Sequence, residues 1–159
     1  MKELKIETTI QVYQYDELTD ADKALVDKAK EMTKQSYAPY SKFHVGAAAL
    51  LADGTVVTGT NQENAAYPSG LCAERTTLFY ANSQYPDQAV DTLAIAASTE
   101  SGFIDRPIPP CGACRQVILE TETRYKRPIR ILLYGKQNTY LVRGIQSLLP
   151  LSFDGSDME

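Results

Sequence analysis

Lys42-Phe43-His44-Val45-Gly46-Ala47-Ala48-Ala49-Leu50-Leu51-Ala52-Asp53-Gly54-Thr55-Val56-Val57-Thr58-Gly59 holds two strand-like runs separated by Asp-Gly. Asp-Gly tolerates the positive φ angles of a tight hairpin turn, so the two flanking runs predict paired strands. A polar loop follows from Asn61 to Gly70, closed by the breaker Pro68-Ser69-Gly70. Leu71-Cys72-Ala73-Glu74-Arg75-Thr76-Thr77-Leu78-Phe79-Tyr80-Ala81 then predicts a helix to about Asn82.

Upstream, Leu4, Ile6, Thr8, Ile10 and Val12 alternate with Lys5, Glu7, Thr9 and Gln11. That period of two predicts an N-terminal strand over roughly residues 4–14. Thr19-Asp20-Ala21-Asp22 places acids in a first helical turn, and Ala24, Leu25, Ala29 and Met32 carry the stripe to about Ser36, before Pro39. Downstream, residues 91–98 form a short apolar run bounded by turns, a buried strand. Pro107 to Pro110 is a rigid lead-in to a helix from Cys111 to about Glu120. Ile129 to Tyr134 and Tyr140 to Arg143 read as strands, Gly144 to Leu149 as one helical turn, and residues 154–159 as a frayed acidic tail. The order β-α-β-β-α-β-α-β-β predicts an α/β fold with helices against a mixed sheet. With no repeat, low-complexity segment or linker, residues 1–159 read as a single domain.

A chain of 159 residues buries a core without staples. Its apolar share of 43% and charged share of 23% suit a soluble globular protein. The net charge of −4 repels phosphates, so a nucleic-acid polymer would need a local basic patch. The one basic cluster, Arg124-Tyr125-Lys126-Arg127, reads as a solvated face. Met1 to Glu7 lacks the apolar region of a secretory signal, and the apolar stretch Val45 to Ala52 is far short of a membrane span. An odd cysteine count in such a chain argues against a disulfide framework and for a reducing, cytoplasmic compartment.

The three cysteines are Cys72, Cys111 and Cys114. Three thiolates bind zinc and leave a fourth tetrahedral position open to water. Cys72 and Cys111 both fall at predicted helix starts, where the dipole stabilises anions and lowers a thiol pKa. Cys111 and Cys114 are one helical turn apart. Three thiolates on Zn²⁺ leave a net negative charge, and Arg75 and Arg115 stand where hydrogen bonds to sulfur would draw it off. Glu74, two residues from Cys72, points to another side of the helix start and could reach the bound water to move protons. Three other readings stay open on spacing alone. Cys-x-x-Cys is also a redox motif, His44 could complete a structural Cys₃His site, and the arginines could be plain surface charges.

A Cys-x-Glu segment followed by Pro-Cys-x-x-Cys is the known signature of the zinc deaminases. The chain closely resembles the homotetrameric cytidine deaminases in four blocks: Ala38 to Ala48, Asn61 to Arg75, Pro110 to Val117, and Ser147 to Phe153. The resemblance implies a three-layer α/β/α fold on a central mixed five-stranded sheet, here with an N-terminal extension strand. It implies one Zn²⁺ per subunit on Cys72, Cys111 and Cys114, with Glu74 as the catalytic proton shuttle. It matches Asn61 and Glu63 to a pair that binds the ribose hydroxyls, and Phe43 to a residue packed on the pyrimidine. Ala73 matches the position whose backbone N–H meets the base carbonyl. Tyr67 and Phe153 match residues that reach a neighbouring subunit's site. Taken from the residues alone, Asn61 and Glu63 can also be a turn residue and a surface acid, Phe43 ordinary core, and Tyr67 and Phe153 local packing. Residues 1–18 extend beyond the family core.

The implied activity is hydrolytic deamination of cytidine and 2′-deoxycytidine to uridine and 2′-deoxyuridine, releasing ammonia, in pyrimidine salvage. Blasticidin S-type antibiotic deaminases share the cysteine motifs, but Asn61 and Glu63 favour a plain nucleoside. A polynucleotide deaminase lacks its basic groove here, and a structural zinc or binding module leaves Glu74 without a task. The expected partners are a small nucleoside and further copies of the chain, with no nucleic-acid polymer and no membrane.

Overall fold

The computed structural model describes residues 1–158. Its strands are β1 (Gln11–Tyr13), β2 (His44–Leu51), β3 (Val56–Thr60), β4 (Val90–Thr99), β5 (Gly102–Phe103), β6 (Arg130–Tyr134) and β7 (Thr139–Arg143). Its α-helices are α1 (Asp20–Met32), α2 (Ala73–Gln84) and α3 (Gly112–Tyr125). The strands form one mixed sheet in the order β1-β7-β6-β4-β2-β3, with β5 added beside β4. β4 and β6 run parallel, joined through α3, and every other pairing is antiparallel. The expected five strands are therefore present as β7-β6-β4-β2-β3. β1 extends that sheet at one edge, and the two-residue β5 is an addition the sequence did not signal.

The Asp-Gly hairpin forms as its residues require. Gly54 takes φ +90°, where a side chain would be strained, and its N–H donates to the Leu51 carbonyl at 3.0 Å. Asp53 Oδ1 accepts from the Thr55 N–H at 2.9 Å and braces the turn.

Successive strand residues face opposite sides, and both sides are covered. Ala47, Ala49 and Leu51 of β2, Leu93, Ile95 and Ala97 of β4, and Ile131 and Leu133 of β6 pack with Ala73, Leu78, Ile118 and Leu119 of α2 and α3. The intervening Ala48, Ala94, Ala96 and Leu132 pack with Leu25, Val26 and Ala29 of α1. The result is an α/β/α stack with α1 alone on one face. Thr19 caps α1, its hydroxyl accepting from the Asp22 N–H at 3.1 Å.

Gly46 sits where α1 crosses β2, and a Cβ there would overlap the Ala29 carbonyl and crowd Thr33 N at 2.8 Å. Both obstacles are backbone, so neither can rotate away. Gly46→Ala is expected to cost about 3 kcal/mol, read as a lower urea midpoint at unchanged m-value. An unchanged midpoint would mean that α1 is free to slide on the sheet.

Two expectations are corrected at the chain's ends. The N-terminal strand covers residues 11–13 rather than 4–14. Residues 4–10 form no ladder, and Leu4, Ile6 and Ile10 are exposed. Alternation there records an amphipathic chain without a partner strand, apart from the Thr8 hydroxyl donating to the Ser147 carbonyl at 2.8 Å. At the other end, Gly155–Met158 form a 3-10 turn rather than a frayed tail. Asp154 Oδ1 accepts from the Ser156 N–H at 2.9 Å there. Glu159, the last residue of the expected tail, lies outside the described residues.

Candidate active site

The first turns of α2 and α3 meet at one end of the sheet and bring the three cysteines together. Cys72 is the N-cap of α2 and Cys111 the N-cap of α3, both with extended backbone. Neither helix start has a side-chain oxygen cap. Sulfur therefore stands where the helix end favours an anion. Cys114, one turn into α3, is completely buried.

The Sγ atoms of Cys72 and Cys111 are 3.7 Å apart, and those of Cys111 and Cys114 are 3.5 Å apart. A tetrahedral zinc with bonds of about 2.3 Å has sulfur–sulfur edges of about 3.8 Å, so the cluster has the size the ion needs. Three anions this close cannot all form without a cation between them. The titration pattern expresses that conflict. Hydrogen bonding from Cys114, assisted by Arg75, brings the Cys72 thiol down to about 5. Cys114 is pushed far up by its bond to Cys72 and by burial. Among the described residues, this is the one group of three or more His, Cys, Asp or Glu side chains that could hold a metal ion. His44 is engaged elsewhere, with Nδ1 2.6 Å from Ser36 Oγ. It does not supply a fourth ligand.

Glu74 is only 5% exposed and faces the same cleft as Cys72 and Cys111. Burial pushes its carboxyl up to about 7, and the neighbouring Cys72 charge adds to the rise. A carboxyl poised there can both accept and return a proton near neutral pH. Arg75 directs a guanidinium nitrogen to Cys72 Sγ at 3.9 Å, as the spacing suggested. Arg115 makes no hydrogen bond to a sulfur, which corrects the expectation for it. Its Nε donates to the Pro110 carbonyl at 2.9 Å and a terminal nitrogen to the Leu148 carbonyl at 2.5 Å. It braces the lead-in to Cys111, because a guanidinium finds fixed backbone carbonyls there.

The cleft measures about 890 Å³, within the range of small-molecule sites. Phe43, Val45, Leu71 and Ile108 give it apolar walls, and Asn61 and Glu63 a polar one. Asn61 Oδ1 accepts from the Val45 N–H at 2.8 Å, and its Nδ2 donates to the Phe43 carbonyl at 2.9 Å. Glu63 Oε2 accepts from the N–H groups of Tyr40 at 2.9 Å and Ser41 at 3.3 Å, and Oε1 accepts from the Ser41 hydroxyl. Both side chains thus secure the 40–45 loop as well as facing the cleft. Ala73 is buried as the first residue of α2. Tyr67 lies at the cleft, 78% exposed and edge-on to Tyr40 at 6.2 Å. Phe153 is 59% exposed and lies outside the cleft lining of its own chain. Sequence reasoning assigned no task to Ser41. Its place two residues before Phe43, in a Pro39-Tyr40-Ser41 turn, was the available signal.

The profile of the cytidine and deoxycytidylate deaminase zinc-binding region matches residues 19–127. The chain belongs to the cytidine deaminase family. The matched span contains all three cysteines and Glu74, so this family's zinc-binding region coincides with the sulfur cluster. A curated cytidine deaminase of Halalkalibacterium halodurans is 40% identical over 134 residues, covering 84% of this chain and 95% of that protein. One from Sporosarcina psychrophila is 49% identical over 96 residues, 60% of this chain and 66% of the relative. The crystal structure of cytidine deaminase from Burkholderia pseudomallei superposes with a TM-score of 0.71 at 38% identity, covering 86% of this chain and all 100% of that one. The Mycobacterium tuberculosis cytidine deaminase structure gives 0.65 at 34% identity, over 86% and 98% of the two chains. Membership in a hydrolytic, zinc-binding cytidine deaminase family removes the redox reading of Cys111 and Cys114. No helix among the described residues is long and apolar enough to cross a membrane.

Proposed function

We propose that the chain hydrolyses cytidine and 2′-deoxycytidine to uridine and 2′-deoxyuridine, releasing ammonia. The observation that carries this reading is a buried carboxyl, Glu74, beside a three-sulfur cluster that opens into a nucleoside-sized cleft. Cys72, Cys111 and Cys114 would hold zinc, which when bound supplies a Lewis acid that makes water a better proton donor. Glu74 takes a proton from the water that adds at C4 and gives it to the ring nitrogen N3. A second transfer, from the new C4 hydroxyl to the 4-amino group, lets the C–N bond break, so that ammonia departs and the C4 carbonyl forms. The Ala73 N–H, at the start of α2, meets the base carbonyl. Phe43 packs on the pyrimidine, and Asn61 and Glu63 take the ribose hydroxyls with their remaining hydrogen-bonding capacity. Arg75 offsets charge on the sulfurs, and Arg115 holds the loop that carries Cys111.

The active form is a homotetramer of single-domain cytoplasmic chains, in which Tyr67 and Phe153 reach into neighbouring sites. Their exposure in the single chain supports that assignment. Zinc-loaded protein is expected to convert cytidine to uridine, followed by the ultraviolet change at C4. Blasticidin S and single-stranded DNA should give no comparable rate. Intact cytidine after incubation with loaded protein would overturn the reading.

A further inference from the structure

Ser41 stands between the polar and aromatic walls of the cleft. Its hydroxyl donates to Glu63 Oε1 and accepts from the Phe43 N–H at 3.0 Å. Phe43 is pinned on its other side too, its carbonyl accepting from Asn61 Nδ2 at 2.9 Å. The residue between them, Lys42, is left-handed at φ 57°, a conformation that costs a non-glycine residue and needs support from its neighbours. Ser41 and Glu63 supply it from both sides of the turn.

Glu63 is the more telling partner. A carboxylate has about four acceptor positions. Three are taken here by the Tyr40 N–H, the Ser41 N–H and the Ser41 hydroxyl. One acceptor direction is left for a ligand in the cleft. A carboxylate restricted in this way accepts from a hydroxyl at one place and rewards no other. Remove the Ser41 hydroxyl, and Glu63 regains a second free direction, whereas Phe43 stays tethered through Asn61.

We propose that Ser41 is a positioning residue that sets the sugar selectivity of the cleft, by confining Glu63 to one acceptor direction. The proposal rests on the nucleoside reading above. It assigns Ser41 no contact with the reacting atoms.

The test compares wild type, Ser41→Ala, Ser41→Thr, Glu63→Ala and the Ser41/Glu63 double variant. Each is assayed on cytidine and on 2′,3′-dideoxycytidine, which carries no sugar hydroxyl at the two ring positions. Ser41→Ala should raise KM for cytidine about five- to tenfold, the scale of one intramolecular hydrogen bond, with kcat within about twofold. KM for the dideoxy substrate should not move, so discrimination between the two substrates falls by the same factor. Ser41→Thr should restore the KM, and Ser41→Ala should have no further effect once Glu63 is alanine. Ser41→Cys carries the same comparison if the alanine variant does not fold. Equal KM rises on both substrates, additive effects in the double variant, or a loss confined to kcat would each overturn the inference while leaving the deaminase reading intact. Wild type that leaves cytidine untouched overturns the reading and the inference together.

Discussion

Glu74→Gln is expected to lower kcat on cytidine by about a thousandfold, within the span typical of a lost general acid–base group. Glutamine has the shape of glutamate and fits the same buried position, so the packing of α2 should be kept. What it lacks is the ability to take a proton from one atom and return it to another. Glu74 is suited to that task because its burial brings the carboxyl up to about 7, where both protonation states are accessible. The decisive comparison is between turnover and metal content. The variant should bind one zinc per chain by atomic spectroscopy and melt near the wild type, yet turn over almost nothing. More than a tenth of wild-type kcat would remove Glu74 from the chemistry and leave proton transfer to water or to another group in the cleft.

Cys114→Ser is expected to abolish tight zinc binding and the stability that comes with it. Cys114 is fully buried, with its sulfur 3.5 Å from that of Cys111. A serine there keeps the volume but offers a poorly ionised oxygen at a bond length set for sulfur. A ligand that binds only the folded chain stabilises it by about 4 kcal/mol when present at a thousand times its Kd. Wild type should therefore lose about that much when a strong chelator is added, whereas the variant should show nearly the same denaturant midpoint with and without chelator. Activity should disappear in parallel. A variant that still gains several kcal/mol from zinc would show that Cys72 and Cys111 hold the ion with some other third group.

The hairpin, the helix bearing Cys72 and Glu74, and the helix beginning at Cys111 were all legible, because each is set by local chemistry: a turn dipeptide, a breaker, a proline lead-in. The strand β5 was not. Gly102 and Phe103 have no strand signature and pair only because β4 presents Ser98 and Thr99 to them. The extent of α3 was underread for a related reason. Residues 121–125 are mostly polar, and the helix ends where Lys126 turns left-handed at φ 51°. Residues 4–10 erred in the opposite direction, since alternation is a property of the segment and pairing a property of its partner. At the site, ligand types and spacing were visible, as was the reach of Arg75 to Cys72. Arg115 was misjudged because its partners are backbone carbonyls at Pro110 and Leu148, which leave no trace in residue identity. Ser41 was overlooked because a serine in a turn is unremarkable until the carboxylate it touches is known.

The pairing of β1 with β7 has a consequence in time. Gln11, Val12 and Tyr13 lie beside Leu141, Tyr140 and Thr139. During synthesis the early strand has no place in the sheet until the late one has left the ribosome and joined β6. Through that interval the backbone of residues 11–13 is an unpaired strand edge, the kind of segment that captures chaperones or other nascent chains. Docking of residues 11–13 is thus the latch that closes only when the rest of the sheet is finished, and its closure reports a completed molecule.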